Sequence, residues 1–501
     1  MRSVPRMGLL MQLTRVLWAA TLVTIPVTSF RYFPAGEGTY VRPLALLPLA
    51  ALLLVLVLRW LRGEGDPPRP GSLVPLAAFV LMAALASAAG MLLDPIPMRG
   101  QDVAGRILRA WVTLLMGLGF FIGAAWMNRN DSELRFSVKW LLVGFAANVL
   151  WSGVQAATFY LDVLPKPLVT QWQRLFSLRE LIRTNRISGL TYEPSWLAGQ
   201  IATVYLPWLL AAALTRWRVF RFRWLEPLLL AAAVLMVLAT YSRGGILTAG
   251  LSSALVVFFA ARAELRSAWH RLAAERSGLT ALVVRIGIVV FAVLVVGGAG
   301  LWLAQKGYVS RLWESRADDF VGFLVQNSAG ARGAYLTSAI QTYYEHPWTG
   351  VGLGASGLYI YSRIPDWALT SVPEIARQLS PESNLYPNPK NLYVRLLAET
   401  GLPGLVIFGS FMLTLLAEAL GALRRGTQAW RYVGMAGLCT WLAISLYSMT
   451  QDSFATPNLW LNLGMLAGLT GLAAQRSDKV VRVPAPGPVA ARSVPMRRRS
   501  T

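Results

Sequence analysis

The chain has 501 residues, 55% of them hydrophobic and only 14% charged, yet Lys and Arg outnumber Asp and Glu by 47 to 24 for a formal net charge of +23. Soluble domains average about 25% charged residues, so this composition excludes an ordinary water-soluble enzyme. Apolar runs of about 20 residues recur from end to end, each long enough to cross a hydrocarbon core about 30 Å thick, and they define an all-α polytopic membrane protein.

Twelve stretches qualify as spans: 10–30, 43–61, 73–93, 107–127, 138–160, 194–215, 225–241, 243–262, 281–303, 401–423, 431–450 and 456–474. The seventh and eighth are joined by the tight "YSRGG" and can equally be one helical hairpin with a broken tip. Arg15 interrupts the first, and no small-residue cleavage site follows it, so it reads as a retained helix rather than a removed signal peptide. With the N-terminus in the cytoplasm, the basic clusters fall on the even-numbered connections: Arg59, Arg62 and Arg69, then Arg129, Arg135 and Lys139, then "TRWRVFRFRW", "ARAELRSAWHRLAAER" and "RRGTQAWR". That is the pattern of the positive-inside rule, and it puts both termini in the cytoplasm. The excess charge is therefore topological, and nucleic acid is excluded as a partner.

Four regions follow from this topology. Residues 1–303 hold spans one to nine, with an external loop at 161–193. Residues 304–400 form a large outer segment between spans nine and ten. Spans ten to twelve occupy 401–474, and 475–501 is a basic, Pro-rich tail expected to be disordered on the cytoplasmic side. The segment 304–400 carries eight basic and eight acidic residues, so the cationic bias ends there. Its opening "KGYVSRLWESRADDFVGFLVQ" has the spacing of an amphipathic interfacial helix, and "SAGARGAYLTSAIQTYYEHPW" is also helical in period. "GVGLGASGLYIY" supplies a glycine-dense turn, and from Val372 to Asn391 the chain reads as loop. A connection of about a hundred residues is far longer than a simple linker, which marks it as the active region.

Soluble-enzyme motifs are absent: there is no P-loop and no HExxH. Cys439 is the only cysteine, so no intramolecular disulfide braces the outer loops. The two histidines, His270 and His346, have no neighbouring His or Cys, and no metal or other cofactor is expected. Arginines on the outer side remain. Arg183 and Arg186 stand in "LIRTNRISGLTYEPSWLAG", Arg243 in "YSRGGIL", and Arg332 in "SAGARGAYL". Arginine is disfavoured on this side, is expensive near membrane depth unless it lines a cavity, and is shaped to clamp phosphate oxygens. Together these residues describe an outward cavity for a phosphate- or diphosphate-linked lipid, against the simpler reading of snorkelling side chains. Glu193 in "GLTYEP" either binds sugar hydroxyls or an arginine, or sits as an acid in the first turn of the following helix.

The stretch "KNLYVRLLAETGLPG" closely resembles a motif of the O-antigen ligase and polymerase family, His-Asn-x-Tyr-(Leu/Val)-x4-Glu-x-Gly-x2-Gly. Asn391, Tyr393, Glu399, Gly401 and Gly404 match it at the right spacing. "RISGLTYEPSWLA", "YSRGGIL" and "EHPWTGVGLG" resemble further family segments in the right order, so the likeness covers roughly residues 180–415. The resemblance implies an inner-membrane glycosyltransferase with a GT-C-like fold that works on the periplasmic side without a metal. Its donor would be an undecaprenyl-diphosphate-linked oligosaccharide, its acceptor a glycan or lipid A-core hydroxyl, and its company a polysaccharide-assembly complex with a flippase and a chain-length regulator. It carries diphosphate neutralisation to Arg186 and Arg332, and it matches Arg243 to the arginine of a turn motif whose role is either structural or binding; Asn391 and Tyr393 of the motif, with Arg183 and Glu193, complete the expected substrate-binding residues. One departure stands out: Lys390 occupies the position of the family histidine, which orients or deprotonates the acceptor. Lys390 is then either a base with a lowered pKa or a charged grip on the diphosphate. Glu399, Gly401, Gly404 and His346 read as structural, with Glu399 at the entry to span ten, paired to Arg395 four residues earlier. The rivals are a transporter or flippase for a lipid-linked or anionic solute, and a non-catalytic scaffold. Arg109, Arg285 and Glu418, the intramembrane charges a transporter would use, all sit near span ends.

Overall fold

The computed structural model describes residues 8–34, 39–181, 185–264, 319–326, 329–380 and 386–481, together with Ser383 and scattered positions between 266 and 305. Helices dominate, and no strand occurs among the described residues. Helices α1 (Leu9–Thr24), α2 (Leu46–Leu61), α3 (Leu73–Gly90), α4 (Val103–Met127) and α5 (Asp131–Tyr160) come first. A short α6 (Lys166–Arg174) follows α5. Then α7 (Pro194–Gln200) runs through a π-helical turn, Ile201–Tyr205, into α8 (Leu206–Thr215), followed by α9 (Leu225–Ala239) and α10 (Arg243–Phe259). Five segments are long and apolar enough to cross a membrane: α3, α4, α5, Pro194–Thr215 and Leu392–Arg424; α1, α2, α9 and α10 are shorter apolar helices.

Eleven of the twelve expected spans each fall on one helical segment, and the ninth lies outside the described residues apart from scattered positions. The "YSRGG" alternative resolves into two helices, α9 and α10, joined by residues 240–242. Helix starts are set by side-chain caps. Asp102 accepts from Gly105 N at the head of α4, and Asn130 accepts from Glu133 N at the head of α5. Each satisfies one of the amide groups that the first turn leaves without a helical partner.

The π turn has a local cause. Pro207 has no N–H, so the Thr203 carbonyl four residues earlier loses its helical donor. The Asn462 amide donates to the Thr203 and Val204 carbonyls at 2.9 and 3.0 Å, and its own oxygen accepts from the Trp208 indole at 2.8 Å. Asn462 belongs to α18 (Pro457–Val481), which packs closely along α4. Glycine permits that approach: a Cβ on Gly468 would lie 2.3 Å from the Ala125 carbonyl oxygen. Small residues at such crossings let helix backbones touch, which replaces the hydrophobic drive that lipid does not provide.

The outer segment is more helical than its sequence implies. It contains α11 (Phe320–Gln326), α12 (Gly330–Glu345), α13 (Ser356–Ile360), α14 (Asp366–Ser371) and α15 (Pro373–Leu379). The stretch after Ser371, read as loop from its Pro and Ser content, begins with α15 because Pro373 sits at the first helical position, where its missing N–H does no harm. Of the expected interfacial helix, only α11 lies within the described residues. Ala334, Ala339, Ile360, Ala368 and Ile375 form a small apolar core of their own, joined by Ala398.

Ala398 belongs to α16 (Leu392–Arg424), the element that ties this unit to the bundle. It starts at Leu392 and bends at Gly401, whose φ of 67° and ψ of −175° are non-helical. The expected entry at Glu399 is corrected accordingly: two turns of helix precede it, because the Asn391 side chain caps the chain at Leu392. Helix α17 (Gln428–Tyr447) follows, and the connection 448–456 leads into α18.

Candidate active site

Buried amides in α5 shape the segment before α7. The Gln155 oxygen accepts from Ser188 N and Gly189 N at 3.0 and 2.8 Å, and its amide donates to the Gly189 carbonyl at 3.1 Å. Asn148 accepts from Leu190 N at 2.9 Å, and Thr28 accepts from Tyr192 N at 3.0 Å. These bonds satisfy backbone groups that would otherwise be orphaned. They fix the course of the chain between Arg186 and Glu193.

Arg186 turns toward the "YSRGG" turn, where its Nε donates to the Thr240 carbonyl at 2.7 Å. Ser242 caps α10 by accepting from Gly245 N, and Arg243 is the first residue of that helix. Gly244 packs against Thr450, with a would-be Cβ 3.6 Å from its side chain. The turn thus brings Gly244, the neighbour of Arg243, to the connection 448–456, and it holds Arg186 through Thr240.

That connection is where the outer segments meet. An Arg332 guanidinium nitrogen donates to the Thr450 carbonyl at 3.4 Å, and Lys390 N donates to Asp452 Oδ2 at 3.1 Å. Arg395 donates to the Asp452 carbonyl at 2.6 Å, and Leu392 N donates to the Ser448 carbonyl at 2.8 Å. Tyr447, at the end of α17, lies within electrostatic reach of both Arg332 and Glu193. A cleft opens beside it, lined by Thr28, Trp196, Tyr447, Gln451, Asp452 and Asn458 among others.

The bend of α16 is held by the "EHPWTGVGLG" loop. Val351 N and Gly352 N donate to the Ala398 and Glu399 carbonyls at 2.9 and 3.1 Å, and Leu402 N donates to the Pro347 carbonyl at 2.8 Å. The buried Glu399 carboxylate accepts from Arg395 Nε at 2.9 Å and from Ser356 Oγ at 2.8 Å. The i, i+4 pairing read from the sequence is present. Further out, the Arg106 guanidinium stacks 3.4 Å from the centre of the Tyr386 ring, whose hydroxyl bonds the Gly354 and Ala355 carbonyls. Burial pushes the Tyr386 phenol well above its usual range, partly offset by that cation. At the end of α12, the hydrogen bond from Arg363 holds the Glu345 carboxyl below the usual carboxylate range.

The Arg332 and Arg395 guanidinium groups and the Lys390 backbone N–H therefore converge on one short connection, with Arg243 adjoining it through Gly244, while Arg186 is bonded to Thr240 in the turn before α10. Arg183 lies outside the described residues. The Asn391 side-chain oxygen accepts from Tyr393 N and Val394 N, so it caps α16 and leaves only its NH2 group for a ligand. The Tyr393 hydroxyl donates to the Ser445 carbonyl at 2.9 Å, which ties α16 to α17. Glu193 stands at the N-cap position of α7, yet its carboxylate accepts from the Ser195 hydroxyl rather than from a helix amide. His346 closes α12, and its ring meets Tyr359 edge-on. Gly401 is the bend, and Gly404 packs over Thr400. Among the described residues no three His, Cys, Asp or Glu side chains are grouped to hold a metal ion.

Sequence reasoning missed Arg106, Gln155 and above all Asp452. One signal was available for the last: between Glu418 and Asp478, Asp452 is the only acidic residue, and it stands in the short connection between two apolar segments.

A helical chain with membrane-length apolar helices, and an outer helical unit fitted to a bent span, is a polytopic membrane protein. Residues 228–409 match the O-antigen ligase family, which supports the resemblance of this chain to the O-antigen ligase and polymerase proteins. The matched interval includes Arg243, Arg332, Lys390, Glu399, Gly401 and Gly404; Arg186 and Glu193 precede it. No curated protein matches the chain. The match supports an activity of the O-antigen ligase or polymerase type in general.

Proposed function

We propose that this protein transfers a glycan from undecaprenyl diphosphate to a hydroxyl acceptor at the periplasmic face of the inner membrane. As a polymerase the acceptor is another lipid-linked repeat unit; as a ligase it is lipid A-core. The observation that carries this reading is the convergence of the Arg332 guanidinium and the Lys390 backbone, from distant segments, on the Thr450–Asp452 connection. Basic residues brought to one connection suit a leaving group that bears several negative charges, because donors held in place before the reaction need no reorganisation as that charge develops. Arg186 and Arg243 add charge from the neighbouring turn, and the first turn of α10 adds its own positive end.

In the reaction, the acceptor oxygen bonds the anomeric carbon while the bond from that carbon to the diphosphate oxygen breaks. The electron pair stays on the diphosphate, and the acceptor proton is released to solvent. Arg332, Lys390 and Arg186 hold the departing diphosphate. Lys390 acts here as a cation rather than as a base.

Surface glycan from a deletion strain, and from that strain complemented with Arg332→Ala, tests the reading. Single-unit glycans in the deletion strain identify a polymerase, and full-length polymer retained on its lipid carrier identifies a ligase. Arg332→Ala should reproduce the deletion phenotype while precursor still reaches the outer face. Normal glycan from that variant, or precursor trapped on the inner face, would overturn it.

A further inference from the structure

The cleft beside Tyr447 differs in chemistry from the cationic point it adjoins. Among the described residues that line it there is no Lys or Arg. Its polar groups are the hydroxyls, amides and single carboxylate of residues such as Gln451, Asp452 and Asn458, and its walls include the Trp196 and Tyr447 rings. Neutral donors and acceptors around an aromatic wall suit a ligand with many hydroxyls and an apolar ring face, and they offer nothing to a diphosphate. We propose that the cleft is a sugar subsite, which takes the glycan ring next to the bond being exchanged. The proposal rests on the glycosyl-transfer reading and adds the residues that recognise the sugar.

Asp452 joins the two regions. Its Oδ2 accepts from Lys390 N, and the same residue lines the cleft, so a ring held there lies next to the segment that carries Lys390. Asp452 and Asn458 are 7% and 6% exposed. Polar side chains so deeply placed are normally hydrogen-bonded, as Asp452 is to Lys390 N. An aromatic ledge extends the cleft outward. The Trp196 and Tyr192 ring centres are 5.4 Å apart, and Tyr192 stacks on the exposed Tyr40 at 5.0 Å. Val41, the neighbour of Tyr40, lines the cleft itself. Such a ledge gives further sugars of the same chain a surface to lie on.

Transfer assays on the full-length protein in nanodiscs, with the cell's own lipid-linked precursor as donor, test this through Gln451→Ala, Trp196→Ala and Trp196→Phe. Losing one bidentate amide or one stacking face should raise a KM about tenfold and leave kcat close to the parent, because a ring bound equally before and during reaction contributes uniform binding. Trp196→Phe should recover most of the loss. A rise in the donor KM assigns the ring to the donor, and a rise in the acceptor KM assigns it to the acceptor. Unchanged KM values in both alanine variants, with an active parent, overturn the subsite alone. A parent that transfers no glycan overturns the subsite together with the reading beneath it.

Discussion

The backbone N–H of Lys390 donates to the Asp452 carboxylate across 62 positions of sequence, and it does so from a left-handed conformation with φ of 55°. A residue with a Cβ in that region costs about 1–2 kcal/mol, so the Asp452 bond and the Asn391 cap hold a strained backbone in place immediately before α16. Strain and charge at Lys390 can be separated. Lys390→Gly should leave the thermal midpoint near the parent's, since relief of strain offsets the greater freedom of the unfolded chain. It should also lower transfer by about 100-fold or more, through loss of the cation. A Gly variant with parental transfer would remove the lysine from the mechanism.

Lys390→His decides between cation and base. Histidine tolerates this backbone conformation and has a reference pKa of about 6.5. A side chain that works as a cation is charged below that pKa, so transfer by the variant should rise as pH falls from about 7.5 to 5.5. A base works in its neutral form, and transfer would then fall over the same window. The slope of the variant's pH profile, corrected by the parent's, gives the answer.

Glu399 is 2% exposed and faces both Arg395 and Ser356. Breaking a buried ion pair from one side costs about 3–5 kcal/mol, because the remaining charge stays buried. Glu399→Gln should therefore lower the unfolding midpoint far more than Ser356→Ala, which removes one hydrogen bond worth about 1 kcal/mol. Equal midpoints for the two variants would show that the Arg395 charge is already balanced by Asp452.

Two glycines of the same helix should respond oppositely to alanine. At Gly401, φ is 67° and a Cβ would lie 2.5 Å from the Trp348 carbonyl oxygen. Gly401→Ala should therefore force apart the bend and the "EHPWTG" loop, with loss of folded protein. At Gly409 nothing lies within 4 Å of a would-be Cβ, and the backbone is helical. Gly409→Ala should be neutral or stabilising by up to about 1 kcal/mol. Yields of monodisperse protein after extraction compare the pair directly.

What could be read from the sequence follows the range of each interaction. Apolar length marked the helices, since 1.5 Å of rise per residue must fill the membrane whatever surrounds it. Arg395 and Glu399 were legible because four positions on a helix are neighbours. Asn391 and Tyr393 matched a motif, but a motif does not say that the Asn391 oxygen faces its own helix amides or that the Tyr393 hydroxyl faces Ser445. Asp452 was invisible as a hub because its partners, Lys390 and Arg395, are distant in sequence and one bond uses a backbone carbonyl. The π turn at Ile201–Tyr205 needed both Pro207, which was legible, and Asn462, which no local pattern connects to it.

The course of residues 186–190 depends on Gln155, and Gln155→Ala should expose that dependence. The substitution removes the acceptor shared by Ser188 N and Gly189 N and the donor to the Gly189 carbonyl, all in a buried setting. Each stranded group costs about 1–3 kcal/mol, more than a short segment retains in place, so the segment should loosen and Arg186 should lose its hold on Thr240. Amide exchange at 188–190 should accelerate by about tenfold or more, and transfer should fall with it. Arg186→Ala supplies the contrast: transfer falls, but exchange at 188–190 stays slow because Gln155 still holds the backbone. If Gln155→Ala speeds exchange and leaves transfer intact, Arg186 acts at a distance from the reaction, and the cationic site consists of Arg332, Lys390 and Arg243 alone.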